Sequence, residues 1–394
     1  MPRRQTAPAE LGGRLPAQVT LAIGTRPEAI KLAPVADELS ARAVAPSLIL
    51  TGQHPLDPAD FGLDRYPAIR LDCAGGGNPH VHAGAVAKAI LSLLAEVELL
   101  IVQGDTSSAL GAALAASAGQ VPLAHVEAGL RSHDRRRPWP EEEFRVAIDA
   151  QAQLLFAPTE LSAANLRRER TRGSIHVTGN TAIDAVLRAR RKLEEVPRTR
   201  GRTPELLVTC HRRESWGDGL AGIAGALRSI AGQRIASINV LLHPNPATAA
   251  QMRALLLGCD CVTLHPPLSH VETIAAMLAA TCVLSDSGGI QEECAALGVP
   301  LLVLRERTER PEAIACGGMT LVGTDPARIV AAVRQFCEVP QRTIGESELP
   351  YGDGRAGQRI AAIVEAWLED RRRAKSPASL SPGFRGAGPG AVRV

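Results

Sequence analysis

Three carboxylates stand where apolar runs give way to polar residues: Asp105 in "QGDTSSA", Glu127 in "HVEAGLRS" and Glu141 in "PWPEEEFR". Each falls at the end of a predicted strand or the start of a predicted helix. Carboxylates gathered in a cleft push each other's pKa values apart, so that one acts as a base while another holds a proton. Glu141 to Glu143 also suit a helix N-terminus after Pro140, where acidic side chains meet the positive end of the dipole. Asp105 and Glu127 fit that structural reading less well, because apolar sequence precedes both.

A second group suits an anion. In "SDSGGIQEE" (residues 285–293), Ser287, Gly288 and Gly289 sit where a strand turns into a helix. Backbone N–H groups and the helix end can meet a phosphate there, and glycines permit its close approach. A plain tight turn is the rival reading. Glu292 and Glu293 follow in the first helical turn, and either one can also hold a ribose diol. Arg26 and Lys31, in "GTRPEAIKLAP" (residues 24–34), put two cations at another strand-to-helix junction. Other strands end in Gln53-His54, Asn180-Thr181, His211-Arg212 and His243. Thr106, Thr159 and Thr181 read as helix caps, which explains Arg26, His211 and Glu127 poorly. His80 and His82 have no third ligand at convincing spacing. Neither GxGxxG nor GxxxxGK[ST] occurs, so a nicotinamide, flavin or common NTPase site is unsupported.

These residues are carried by short apolar runs alternating with segments of helical period. Strands are predicted at 19–25, 47–52, 99–106, 122–129, 154–159 and 175–180, and again at 205–211, 238–244, 261–267, 282–288, 300–304 and 319–323. Alternation of this kind implies parallel sheets wrapped by helices, and twelve strands are too many for one ordinary sheet. The fold class is α/β, with two doubly wound Rossmann-like domains facing across a cleft. Ligand is expected at the carboxyl ends of the strands. The expected division is a flexible N-terminus (1–16), a first domain (17–187), a polar connection (188–204), a second domain (205–354), a final helix (355–370) and a disordered tail (371–394). Residues 55–82, rich in Pro and Gly, read as a loop.

With 44 basic and 41 acidic residues, the chain lacks the charge of a dedicated nucleic-acid binder. Only 3% of residues are aromatic, so the cores must be aliphatic. The 8 cysteines form no CxxC pair and read as reduced thiols. No signal-peptide core or membrane-spanning run is present, and a soluble cytoplasmic protein is expected.

The motifs "GTRPEAIKLAP", "TGQH", "QGDTSSAL", "HVEAGLRS", "PWPEEEFR", "APTE", "VTGNTAIDA", "HRRESWG", "LHPNP", "SDSGGIQEE", "RTERPEA" and "PYGDG" occur in order from residue 19 to about 370. Together they resemble the non-hydrolysing UDP-N-acetylglucosamine 2-epimerases. The resemblance implies a glycosyltransferase-B-like fold whose last helix crosses back to the first domain. It implies interconversion of UDP-GlcNAc and UDP-ManNAc, by elimination of UDP to 2-acetamidoglucal and its re-addition, in a homodimer that feeds envelope polysaccharide synthesis. Acid–base roles would fall to Asp105, Glu127 and Glu141, with His211 also at the catalytic centre. UDP would be bound by Arg26, Lys31, Arg212, Ser287, Gly288, Gly289 and Glu293. No cofactor or metal is implied, since UDP itself departs and returns. The alternatives are epimerisation of another UDP-2-acetamido sugar, such as a diacetamido uronic acid, and a catalytically silent nucleotide-sugar-binding protein.

Three departures stand against the resemblance. Phe144 stands where relatives commonly have Asn, and Cys210 where Gly or Ala is usual. In several relatives the region of residues 55–82 helps form a second, activating site. Gln53, His54 and His243 are its recognisable remnants here, and the breaker-rich segment leads us to expect that the site is not kept.

Overall fold

The computed structural model describes residues 18–134, 138–193, 203–210, 218–315, 317–338 and 349–375, and every count below refers to these. The first sheet holds β1 (Val19–Ile23), β2 (Pro46–Leu50), β3 (Ala68–Arg70), β4 (Leu99–Gln103), β5 (Leu123–Val126), β6 (Leu154–Ala157) and β7 (Ser174–Val177). Its strand order is β3-β2-β1-β4-β5-β6-β7. The second holds β8 (Glu205–Thr209), β9 (Ser237–Leu241), β10 (Val262–His265), β11 (Cys282–Ser285), β12 (Leu301–Val303) and β13 (Met319–Leu321), in the order β10-β9-β8-β11-β12-β13. All pairings are parallel; Leu21 of β1, for example, lies between Leu48 of β2 and Ile101 of β4. Buried at every position, β1 (VTLAI), β2 (PSLIL) and β4 (LLIVQ) are rich in Val, Leu and Ile, as strands covered on both faces must be.

Twelve of these strands lie where the apolar runs predict them. The thirteenth, β3, corrects the reading of residues 55–82 as a loop. That segment also contains a short 3-10 helix (Pro58–Phe61) and the start of the helix Pro79–Leu91. At the sheet edge β3 is three residues long and mostly exposed, so it leaves no apolar signature.

Helices cover both faces of the first sheet. Ala83, Val86, Ala112, Phe144 and Ile148 pack one face. On the other, the helix Arg26–Ala41 packs with the final helix, whose Ile360, Ala361, Val364 and Leu368 complete the same core. Gly357 makes the close approach possible, because a Cβ there would stand 3.0 Å from the Pro34 backbone. That final helix runs Ala356–Lys375, so residues 371–375 are helical and not part of a tail. Residues 1–17 and 376–394 lie outside the described residues. No helix among those described is long and apolar enough to cross a membrane.

The stretch 188–204 also needs correcting. It begins inside the helix Thr181–Leu193, whose Ile183, Val186 and Ala189 join the core beneath the second sheet. Its charged face was mistaken for a seam. Arg188 pairs with Asp37 of the first domain at 2.5 Å. Asp184 accepts the amides of Ala356 (3.1 Å) and Gly357 (2.8 Å), fastening the start of the final helix. Asp184→Ala leaves those N–H groups without their acceptor and should lower stability by about 1–2 kcal/mol, the range of a lost helix cap. A urea midpoint unchanged from the parent protein would show that the latch contributes nothing.

Candidate active site

Both sheets reverse strand order beside their first strand, between β1 and β4 and between β8 and β11. Such switch points open a crevice at the carboxyl ends of the strands. The first is bounded by the turns Gly24–Arg26 and Gly104–Thr106, the second by Cys210 and Ser285–Gly289. Arg26, Asp105, Ser287, Gly288 and Gly289 therefore lie where the topology itself makes room.

Glu127 ends β5 with a positive φ of 72° and is buried. Its carboxylate takes Lys31 Nζ at 2.6 Å and Arg310 Nη2 at 3.1 Å, and Gln103 Nε2 also donates to it. Lys31 reaches Glu292 at 3.2 Å, and Arg310 Nε reaches Glu292 at 2.6 Å. Arg310 Nη1 meets Glu309 at 2.6 Å, and Arg305 holds the other oxygen of Glu309 at 2.8 Å. The cluster joins the domains, since Glu127 and Lys31 come from the first and Glu292 and Arg310 from the second. Burial raises the Glu127 carboxyl, with Glu292 adding to it and the two cations opposing. Burial also acts on Glu292, but Arg310 and Lys31 outweigh it and hold that carboxyl low. For Lys31 burial pulls downward, and the two glutamates more than offset it. Two neighbouring carboxyls are thus pushed in opposite directions.

Asp105 lies in the turn after β4, half-buried, and takes Arg145 through Nε (3.1 Å) and Nη2. Arg145 also holds Glu142 at 3.0 Å, and Glu142 accepts the amides of Ser132 (2.9 Å) and His133 (3.0 Å). Glu141 opens the same helix, Glu141–Asp149, with one carboxylate oxygen fully buried. Phe144, the departure in "PEEEFR", is buried with its ring edge-on to His80 at 5.0 Å.

The anion candidates are placed as follows. Arg26 donates to the Leu268 carbonyl at 2.8 Å, bridging to the second domain. Lys31 is spent on carboxylates. Ser287 caps the helix Gly288–Leu297 without using its side chain, which leaves the hydroxyl and the first amides at the crevice. At Gly288 a Cβ would stand 2.5 Å from Arg310 Nη1, so any larger residue there would push that guanidinium aside. Glu293 is half-buried beside His270 at 3.2 Å, whereas Glu292 is consumed by the ion cluster. His211 and Arg212 lie outside the described residues. Cys210 is buried, and burial with the nearby Asp286 pushes its thiol well up.

Gln53 and His54 follow β2, and His243 follows β9. The Gln53 carboxamide oxygen accepts Ser108 Oγ at 2.7 Å, and its carbonyl accepts Gly75 N at 2.9 Å. The glycine-rich turn is therefore fastened, and its composition no longer argues against a second site. His82 is a satisfied core residue, bonded to Ser107 Oγ (2.7 Å) and the Cys73 carbonyl (2.9 Å). Thr106 and Thr159 cap helices as read, whereas Asn180, not Thr181, accepts the amide of Ala182.

Sequence reasoning assigned no role to Arg310, Glu309, Arg145, Gln103 or Glu28. Glu28 belongs to "GTRPE" and is 1% exposed. It accepts Gly24 N (2.8 Å), Thr25 N (2.6 Å), Thr25 Oγ1 (2.9 Å) and, from the neighbouring turn, Thr106 Oγ1 (2.7 Å). The turn bearing Arg26 is thereby tied to the turn bearing Asp105. Glu28→Ala should cost about 2–6 kcal/mol, because two buried amides lose their acceptor at roughly 1–3 kcal/mol each. Glu28→Gln, which keeps one acceptor oxygen, should recover most of the loss. Equal urea midpoints for the two variants would contradict this account.

Two parallel sheets meeting carboxyl edge to carboxyl edge, with a helix N-terminus near buried carboxylates, make the glycosyltransferase-B-like fold. A family model described as UDP-N-acetylglucosamine 2-epimerase matches residues 37–365, and the chain belongs to that family of isomerases. It is 38% identical over 376 residues to a probable UDP-N-acetylglucosamine 2-epimerase of Ralstonia nicotianae, covering 89% of this chain and 99% of that one. It is 37% identical over 370 residues to the UDP-N-acetylglucosamine 2-epimerase of Yersinia pestis, covering 88% and 98%. Among solved structures, the Neisseria meningitidis enzyme bound to UDP-GlcNAc superimposes with a TM-score of 0.81 at 33% identity, covering 89% of this chain and 99% of the other. The Methanocaldococcus jannaschii enzyme in complex with UDP-GlcNAc and UDP gives 0.77 at 30% identity, covering 88% and 99%.

Proposed function

We propose that this chain is a non-hydrolysing 2-epimerase that interconverts UDP-GlcNAc and UDP-ManNAc. The observation that carries the reading is the buried cluster in which Glu127 stands between Lys31 and Arg310, beside the N-terminus of the helix that starts at Gly288. A base takes the proton from carbon 2 of the sugar, and the bond from carbon 1 to the UDP oxygen breaks with its electron pair. The product is 2-acetamidoglucal. UDP then returns to carbon 1 while a proton reaches carbon 2 from the opposite face. The exchange is redox-neutral and internally balanced.

Each group has a defined part on this reading. Leaving UDP gathers negative charge, and amides at Gly288 and Gly289, the Ser287 hydroxyl and Arg26 meet that charge most strongly in the transition state. Glu293, free of the ion cluster, takes the ribose. Glu127, raised by burial, keeps its proton to a pH at which ordinary carboxyls have lost theirs, which suits it to proton delivery. Asp105, more open to solvent and oriented by Arg145, suits proton removal, with Glu141 at the start of the helix that carries Arg145. In the reverse direction the two roles exchange.

Incubation with UDP-GlcNAc in deuterium oxide should place deuterium at carbon 2 of both epimers, read by NMR; epimerisation without deuterium uptake would sink the mechanism. Asp105→Asn, Glu127→Gln and Glu141→Gln should each lower kcat at least about 100-fold while UDP still binds, the lower range of positioned acid–base catalysis. A variant at parent turnover removes its residue from the catalytic set. The pH profile supplies a further check. Delivery needs protonated Glu127, so kcat should fall as pH rises through the raised pKa of that group. A kcat independent of pH through the carboxylate range and above it contradicts the assignment.

A further inference from the structure

Behind the three carboxylates lies a buried charged chain that the proposed chemistry does not use. His125 sits on β5, two residues before Glu127, and is 0% exposed. Its Nδ1 lies 2.6 Å from Asp149 Oδ1, and its Nε2 lies 2.8 Å from the carbonyl of Gly104, the residue before Asp105. Both ring nitrogens face oxygen acceptors. Asp149, also 0% exposed, uses its second oxygen to accept Gly129 N at 3.1 Å and Arg131 Nη2 at 2.7 Å. Gly129 follows Glu127 by two residues, and its own carbonyl accepts Asn165 Nδ2 at 3.0 Å. Arg131 continues outward to Glu169, held through Nε at 2.7 Å and Nη2 at 2.6 Å. Asp149 is the last residue of the helix that Glu141 opens.

We propose that Asp149, acting with His125, is a positioning residue that fixes the spacing of Asp105, Glu127 and Glu141. The inference rests on the epimerase reading above. One carboxylate touches all three carriers: the Asp105 turn through His125 and Gly104, the loop after Glu127 through Gly129, and the Glu141 helix through its own backbone. Three separate strand and helix ends thereby share one anchor. Burial of so many charges is costly unless each is paired, and here each is. The anchor lies beneath the reacting groups and touches none of them. Catalytic groups need to be held to about 0.5 Å, which requires supporting residues whose own positions are locked.

The test is Asp149→Asn. The amide keeps the volume but offers one acceptor oxygen where two are used, so it turns its own N–H groups toward His125, or toward Gly129 and Arg131. The parent protein must first epimerise UDP-GlcNAc; failure there overturns the functional reading, and this inference with it. Given that baseline, kcat should fall about 10–100-fold while KM and the UDP Kd stay within about twofold, measured where circular dichroism shows the variant folded. Parent kcat, or a loss of UDP binding in step with kcat, overturns the proposal. If Asp149→Asn does not fold, Glu169→Ala serves, since it removes one partner of Arg131 at the more exposed end of the chain. The expected result is about a 3–10-fold fall in kcat at unchanged KM, and unchanged kcat overturns the proposal.

Discussion

The contact of Glu127 and Glu292 with the same two cations is the constraint on which the rest depends. Neither glutamate can be buried alone, because an unpaired buried charge costs several kcal/mol. Lys31 and Arg310 each bridge the pair, so the first domain cannot hold Glu127 in place without the second. Burying Glu127 and joining the two domains therefore go together. Arg310 cannot reach Glu127 unless Gly288 leaves room for its guanidinium. The same glycine opens the helix proposed to meet UDP, so the proposed phosphate site and the ion cluster share one residue.

Around this cluster the turns are held by polar groups that are themselves buried. Glu28 ties the turn after β1 to the turn after β4, Arg145 orients Asp105, and Asp149 anchors the ends beneath them. Mostly aliphatic cores supply the platform, with a few buried rings such as Phe144, Phe156 and Tyr351 among them. Precision at the site comes from hydrogen bonds to backbone amides, which locate a loop more sharply than apolar packing does.

Much of the architecture was legible because parallel strands buried on both faces must be written as apolar runs. β3 was not, since Ala68-Ile69-Arg70 lies at an edge and is mostly exposed. The helix Thr181–Leu193 was cut short because its polar face, Arg188 to Lys192, reads as a linker when its buried stripe is overlooked. Asp105, Glu127 and Glu141 stood out as polar residues closing apolar segments. Arg310 did not, because its value arises from a glutamate 183 residues away, and nothing local records that meeting. Glu28 was hidden for the opposite reason: an acidic residue in a first helical turn is so ordinary that its burial passes unnoticed.

The final helix carries one more consequence. The chain passes between the domains near Gly179 and returns near Gly352, and the two passages run side by side, with Asn180 N bonded to the Tyr351 carbonyl at 2.8 Å. A Cβ on Gly352 would stand 3.0 Å from Gly179 Cα. Two strands of covalent chain clasped at one line behave as a door hinge and not as a tether. The domains can swing apart about that line, but sliding or twisting past one another would break the clasp.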